Sequence, residues 1–136
     1  MGSALIGRRE SAYKVAFRSP AREAFVYFEG NMNMTFGAGV CCVPPMSSNV
    51  QHAHDDADEI MYVITGEMRI VLEGRSHVLR QGDAVIVLKG QEHQIFNNSE
   101  AEDLLHSFTF SPPGPATAIR QAYGRPADTI GTQPPQ

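Results

Sequence analysis

Four residues in two short stretches are of the types that bind a transition metal ion. The first stretch holds His52, His54 and Glu59. The second stretch holds His93. Three imidazoles and one carboxylate form a mixed nitrogen and oxygen donor set that suits Mn, Fe, Co, Ni, Cu or Zn, and they offer too little oxygen for a dedicated Ca or Mg site. The residue types therefore predict one divalent transition metal ion.

A metal ion held by these four ligands would keep open coordination positions and could take part in a reaction. Four ligands leave two adjacent positions of an octahedron for water, dioxygen or a substrate that chelates through two oxygens. The ion could act as a Lewis acid, lower the pKa of bound water or, as Fe, Mn or Cu, handle dioxygen. Each of these residue types alone is more often structural or solvated, so a barrel that keeps the residues without a tightly held ion stays an alternative.

The spacing within the first stretch predicts extended chain. His52 and His54 are two residues apart, so their side chains leave the same face only on a strand. The acidic residues 55–58 then indicate a turn, and Glu59 opens an apolar strand over residues 59–65. These elements would place the glutamate beside the histidine pair.

The second stretch predicts a hairpin. Residues 85–88 and 94–96 form two short apolar runs, and a turn that contains Gly90 joins them. This hairpin would return His93 to the other ligands from a distant part of the chain. The clearest hairpin turn of the sequence lies at residues 72–75, with the order Leu-Glu-Gly-Arg.

Short apolar runs separated by Gly, Pro, Asn and Asp indicate an all-β protein. No segment shows a sustained helical period, and the alternation typical of βαβ units is missing. With 136 residues, 42% of them apolar, the chain can fill one core and has no room for a second. We expect residues 1–23 to form an arm that can exchange a strand with a neighbouring subunit, residues 24–110 to form the barrel, and residues 111–136 to form a proline-rich extension with a short helix at 116–123. The apolar runs cover residues 24–28, 32–43, 59–65, 68–72, 77–79, 84–88, 94–97 and 104–110.

Charge and composition exclude several classes of function. The net charge is −4 and the Lys and Arg residues are scattered, which argues against a nucleic-acid surface and a membrane-binding helix. No apolar run approaches the length that spans a membrane, and the first residues lack the apolar core of a secretion signal. The adjacent Cys41 and Cys42 build neither a disulfide framework nor a zinc knuckle. We expect a cytoplasmic protein with a small-molecule substrate.

Strand parity predicts the wall of a largely apolar cavity. Met61 and Val63 share the face of Glu59, and Ile95 shares the face of His93. Phe108 and His106 also share one face, so if Phe108 points inward, His106 can move a proton near neutral pH. A histidine on the outer face or hydrogen-bonded within the sheet is the alternative for His106. Candidate catalytic residues are His106 and Glu59, and candidate substrate-pocket residues are Met61, Val63, Ile95 and Phe108.

The two stretches together resemble the two-part signature of the cupin superfamily. The first part has the order Gly-x5-His-x-His-x(3,4)-Glu-x6-Gly, and the second has Gly-x5-Pro-x-Gly-x2-His-x3-Asn. Pro45 or Met46 stands at the opening glycine and Leu88 stands at the proline, so two positions depart and no ligand is lost. The resemblance covers roughly residues 25–110. The matching positions are His52, His54, Glu59, Gly66, Gly82, Gly90, His93 and Asn97.

This resemblance implies a double-stranded β-helix, the jelly-roll barrel of the cupins. It also implies metal ligands at His52, His54, Glu59 and His93. Similar cupins include dioxygenases, decarboxylases, lyases, sugar-phosphate isomerases and polyketide cyclases, while other small cupins are non-catalytic binding or sensing modules. We favour a metal-dependent enzyme acting on a small oxygen-rich substrate that chelates the metal, with the sensing module and a barrel braced by its metal as alternatives. Because small cupins commonly pair through sheet edges, a homodimer is expected.

Overall fold

The described part of the chain is built almost entirely of β-strands. The computed structural model describes residues 5–29 and 34–116, together with the backbone of residues 125 and 126. A single 3-10 turn, Arg9–Ser11, precedes the strands. The strands in chain order are β1 (Tyr13–Arg18), β2 (Ala21–Phe28), β3 (Gly37–Val43), β4 (Asp58–Thr65), β5 (Glu67–Leu72), β6 (Arg75–Arg80), β7 (Ala84–Val87), β8 (His93–Phe96), β9 (Leu104–Ser111) and β10 (Arg125–Pro126).

These strands form two antiparallel sheets. The larger sheet has the strand order β10-β1-β2-β3-β9-β4-β7, and the smaller has the order β6-β5-β8. The core contains apolar side chains from both sheets, including Val43, Val63 and Phe108 from the larger one and Met68 and Ile95 from the smaller one. The predicted all-β, single-domain jelly-roll fold is confirmed. No helix among the described residues is long and apolar enough to cross a membrane.

Alternation of burial along the central strands shows why these residues form sheet. In β3 and β9, every second residue is buried and the residues between are partly exposed. The inward side chains of β9 include Leu104, His106, Phe108 and Phe110. Burying a large apolar side chain contributes about 1.5–3 kcal/mol, so period-two patterning fixes both the strand and the face that it turns to the core.

Gly39 shapes the inner face of the larger sheet. It lies opposite Phe108 on the neighbouring strand. A Cβ at Gly39 would lie 2.0 Å from the Phe25 carbonyl oxygen and 2.6 Å from Cζ of Phe108. The absence of a side chain at this position therefore allows the Phe108 ring to lie across the strand.

The sheet begins earlier in the chain than the predicted start of the barrel at residue 24. All six residues of β1 pair with β2 of the same chain, from the pair Tyr13 and Val26 to the pair Arg18 and Ala21. Val15, Ala16 and Phe17 of β1 are buried, but three consecutive apolar residues were too short a run to separate this strand from the expected arm. Strand exchange between subunits and the homodimer stay predictions. Residues 117–123 of the expected helix lie outside the described residues.

One predicted hairpin is confirmed and the other is wrong. Glu73 and Gly74 join β5 to β6 with φ angles of +48° and +80°, as expected of a two-residue hairpin turn with both central residues at positive φ. In contrast, β7 pairs with β4 and β8 pairs with β5, so the turn at Gly90 carries the chain from one sheet to the other. Each of these short strands finds its partner in a strand that is distant along the sequence, which local patterning does not reveal.

The Asn97 side chain links the end of β8 to two other segments of the chain through hydrogen bonds. Its buried side-chain amide donates hydrogen bonds to the carbonyl oxygens of Val43 (2.9 Å) and Glu102 (2.8 Å). Its side-chain oxygen accepts a hydrogen bond from the Ser99 N–H (3.0 Å).

We expect Asn97→Ala to lower the free energy of unfolding by about 2–4 kcal/mol, because buried backbone groups lose their partners. Urea denaturation measures this loss. Asn98→Ala, at the exposed neighbouring position, should change stability little, and equal effects of the two substitutions would contradict this role.

Candidate metal centre

The three predicted histidine ligands lie side by side at one end of the barrel. Their ring centroids are 4.7 Å apart for His52 and His54, 4.3 Å for His52 and His93, and 5.3 Å for His54 and His93. One ring nitrogen from each histidine lies within 4.8 Å of the other two. The fold thus brings together residues that the sequence holds in two separate stretches.

Backbone hydrogen bonds hold the two stretches against each other. His52 donates its N–H to the His93 carbonyl oxygen at 3.0 Å, and His93 donates its N–H to the His52 carbonyl oxygen at 2.9 Å. These two bonds form an isolated antiparallel bridge, because only His93 belongs to a longer strand. His54 lies outside the strands, and its carbonyl oxygen accepts a hydrogen bond from Gly90 at 2.9 Å. The prediction that His52 and His54 share a strand is therefore wrong.

Two of the imidazoles have their tautomers fixed by backbone carbonyls. Nδ1 of His52 lies 2.6 Å from the Val50 carbonyl oxygen, and Nδ1 of His93 lies 3.0 Å from that of Gln91. Because a carbonyl oxygen only accepts, Nδ1 carries the hydrogen and Nε2 of the neutral ring presents a lone pair. Nε2 of His52 lies 3.2 Å from Nε2 of His54. Histidines that bind metals are usually oriented in this way by a partner of the second nitrogen.

Glu59, the fourth predicted ligand, lies on β4 beside two of the histidines. Its Oε1 lies 3.5 Å from Nε2 of His54 and 3.4 Å from Nε2 of His93. At these separations the contacts are electrostatic rather than well-formed hydrogen bonds. Burial alone would raise the pKa of Glu59, but the contacts with His54 and His93 lower the pKa to about 2. The carboxylate is therefore ionised at neutral pH.

The pKa values of His52 and His93 are shifted in opposite directions. The pKa of His52 is lowered to about 4, chiefly by burial and in smaller part by the neighbouring His93 and His54, while the Val50 carbonyl and Glu59 oppose this shift. Burial also disfavours a charge on His93, but the contact with Glu59 raises the pKa of this ring. Within the described part of the chain, the buried Nε2 of His93 has no well-formed hydrogen bond. Such an atom costs roughly 1–3 kcal/mol, a cost that a cation would remove, so these donors fit one divalent transition metal ion.

A cavity of about 70 Å³ opens beside the cluster. A single water needs roughly 10–15 Å³ on this measure, so the cavity admits a small molecule or a few waters. Of the four predicted pocket residues, Met61, Ile95 and Phe108 line it. Val63 does not, because it is fully buried in the core beside the cavity. The complete lining is Phe17, Arg22, Ala24, Cys41, Asn49, His52, His54, Glu59, Met61, Ile95, His106, Phe108 and Phe110.

His106 also faces this cavity. The ring is 4% exposed, and its Nδ1 lies 2.9 Å from the Ser107 carbonyl oxygen, so Nδ1 carries the hydrogen. Burial lowers the pKa of His106, so the ring is neutral near pH 7. Its buried Nε2 meets no hydrogen-bond partner among the residues described. His106 therefore lines the cavity and carries a buried acceptor nitrogen that has no partner in the described part of the chain.

Three polar residues of the cavity wall were not predicted from the sequence, namely Arg22, Cys41 and Asn49. Asn49 has a structural task, since its Oδ1 accepts the N–H of Ile95 at 2.8 Å. Arg22 shares strand parity with Ala24, whose side chain is buried. This parity was the available signal for Arg22, but the boundary predicted at residue 24 left β1 and the start of β2 outside the barrel.

Fold and site together define a class of protein. The chain is a small two-sheet β-barrel in which three histidines and one glutamate converge beside an internal cavity. The model of the cupin domain family matches residues 39–106, which is half of the chain. The chain belongs to the cupin family.

Curated relatives and solved structures give the range of cupins that this chain resembles. The pectin degradation protein KdgF of Dickeya dadantii (strain 3937) is 38% identical over 61 residues, 45% of this chain and 54% of that protein. The tetracenomycin polyketide synthase protein TcmJ of Streptomyces glaucescens is 26% identical over 92 residues, 68% of this chain and 61% of that protein. The matched part of the chain thus spans less than two thirds of the length of each relative.

Among solved structures, a predicted oxalate decarboxylase from Thermotoga maritima is similar with a TM-score of 0.69 and 22% identity, over 79% of this chain and 98% of that one. KdgF from Halomonas sp. is similar with a TM-score of 0.59 and 22% identity, over 67% of this chain and 80% of that one. At this level of identity the likeness establishes the fold and leaves the reaction open.

Proposed function

We propose that this cupin is a metal-dependent enzyme that transfers a proton on a small, oxygen-rich organic substrate. The observation that carries the proposal is the pairing of two features in one cavity. The three clustered histidines, with Glu59 beside His54 and His93, fit a divalent transition metal ion, and His106, whose Nε2 has no hydrogen-bond partner among the described residues, lines the same cavity. Isomerases, lyases and cyclases use this combination of an electrophile and a base.

The protein's residues have distinct tasks in this proposal. The three histidines and Glu59 would hold the metal, which when bound would act as a Lewis acid on a carbonyl or hydroxyl oxygen. His106 is neutral near pH 7, so its Nε2 can accept a proton from the substrate, and the Ser107 carbonyl stabilises the charged ring that results. Phe108 and Phe110 line the cavity and exclude water from the reacting atoms.

The comparisons support this proposal over a purely structural barrel. The two curated relatives are named for pectin degradation and for a tetracenomycin polyketide synthase. Both names refer to the conversion of organic compounds. The 70 Å³ cavity has room for a small ligand and is too small for a macromolecule.

Hydrogen exchange with solvent tests the proposal without knowledge of the natural substrate. Metal-loaded protein and the same protein treated with EDTA are incubated in D₂O with a panel of small hydroxy and oxo compounds, both acids and neutral sugars. We expect the metal-loaded protein alone to replace a carbon-bound hydrogen of at least one compound with deuterium, which proton NMR detects as a lost signal. Tight capture without exchange would favour a binding module, and a firmly held metal with neither would favour a structural barrel.

A further inference from the structure

Arg22 brings a cationic side chain into the cavity. It stands on β2, opposite Phe17 of β1, and its Cζ lies 3.5 Å from the centroid of the Phe17 ring. The guanidinium lines the same cavity as Glu59 and His106. An arginine guanidinium stays charged, and partial removal from water strengthens its attraction for an anion.

The strand order places these groups in sequence across the inner face of the larger sheet. Arg22 lies on β2, Cys41 on β3, His106 on β9 and Glu59 on β4, and these four strands are consecutive neighbours. His106 therefore stands between Arg22 and the metal ligand Glu59 in strand order. A substrate that reaches from the histidine cluster to Arg22 would pass the free Nε2 of His106.

The charges of the cavity favour an anionic occupant. Arg22 and Glu59 have opposite charges, and burial raises the pKa of Cys41 to about 12, so this thiol stays neutral. A divalent ion would then leave the cavity with two positive charges in excess. A small ligand with two negative charges balances this excess and one with a single negative charge halves it, whereas a neutral ligand leaves it uncompensated.

We propose that Arg22 binds a carboxylate of the substrate, so that the substrate class is a small oxygen-rich carboxylic acid held by the metal at one end and by Arg22 at the other. This inference rests on the proposed function and narrows it. The fork of guanidinium N–H donors matches the two oxygens of a carboxylate, and the rest of the wall near Arg22 is largely apolar. The substrate atoms between the two anchors would lie beside His106.

Malonate and its neutral analogue malonamide test this assignment by calorimetry on zinc-loaded protein. We expect malonate to bind the wild type more tightly than malonamide. Arg22→Met keeps a long side chain against Phe17 and should weaken malonate binding roughly 10- to 100-fold, while Arg22→Lys should fall between. Arg69→Met is the matched control, because Arg69 stacks on Phe96 at 4.0 Å and does not line the cavity. It should bind malonate like the wild type.

Zinc content and thermal unfolding, measured on every variant, separate this inference from the proposed metal site. The inference would be overturned if the malonate affinity of Arg22→Met stayed within threefold of that of the wild type. It would also be overturned if the substitution weakened malonamide binding equally, or if the wild type did not bind malonate. If the chain takes up no zinc, the proposed metal chemistry fails. Malonate binding that still depends on Arg22 in the metal-free protein would then leave the carboxylate site standing.

Discussion

His93→Ala is expected to lower the affinity for a divalent transition metal by at least roughly 100-fold. Loss of a single outer hydrogen-bond partner of a metal ligand already costs about 10- to 100-fold, and His93 is itself a proposed donor. The substitution removes one of three imidazoles and leaves Glu59 with one histidine contact instead of two. Metal analysis after gel filtration, followed by titration against a chromogenic chelator, measures the change.

Two further variants separate metal loss from misfolding. His77 lies exposed on β6, so His77→Ala removes an imidazole without touching the cluster and should keep the wild-type metal content. His93→Gln keeps more of the buried volume than alanine, and circular dichroism should report a folded barrel. Wild-type metal affinity in a folded His93 variant would refute the ligand assignment.

His106→Asn is expected to slow proton exchange by roughly 10²- to 10⁴-fold while the metal content stays unchanged. The asparagine amide can still donate to the Ser107 carbonyl, but it offers no basic nitrogen at the position of Nε2. Rates of deuterium incorporation into the most active compound of the panel measure the effect. A variant that retains the full rate would assign the proton transfer to another group.

The pH profile gives a second readout for His106. The ring must be neutral to accept a proton, and burial lowers its pKa below the ordinary value of 6.5. The wild-type rate should therefore be fully developed near pH 7 and fall only as the pH drops below the lowered pKa. This acidic limb should disappear from the residual rate of His106→Asn. A purely structural histidine would leave the shape of the profile unchanged.

The convergence of the predicted metal ligands could be predicted from their residue types and from their match to the two-part cupin signature, although the strand and hairpin expected to bring them together are not the ones observed. His52 and His54 two residues apart, a glutamate at the head of an apolar strand and a distant His93 are enough to suggest one site when all occur together. The backbone pairing that supports the site could not be predicted from the sequence. The bridge between His52 and His93 and the crossing of the chain at Gly90 depend on pairing between distant segments, which the local pattern does not contain.

The extent of the cavity was the hardest feature to predict. Strand parity placed Met61 and Val63 on one face, but only Met61 lines the cavity. Strand parity predicts the face to which a side chain points. It does not predict at which position along the strand the packed core ends and the cavity begins. Arg22 was not predicted to line the cavity, because a charged residue near the start of the chain is normally expected to lie in solvent.

The backbone bridge between His52 and His93 has a consequence for the choice of ion. Both main-chain hydrogen bonds of this bridge exist independently of the imidazoles, and the carbonyls of Val50 and Gln91 already orient the two rings. The donors are thus preorganised, and little of the chain needs to rearrange when an ion enters or leaves. Such a scaffold fixes the positions of its donors before an ion enters, so coordination geometry and metal supply, rather than raw affinity, would decide which ion occupies it.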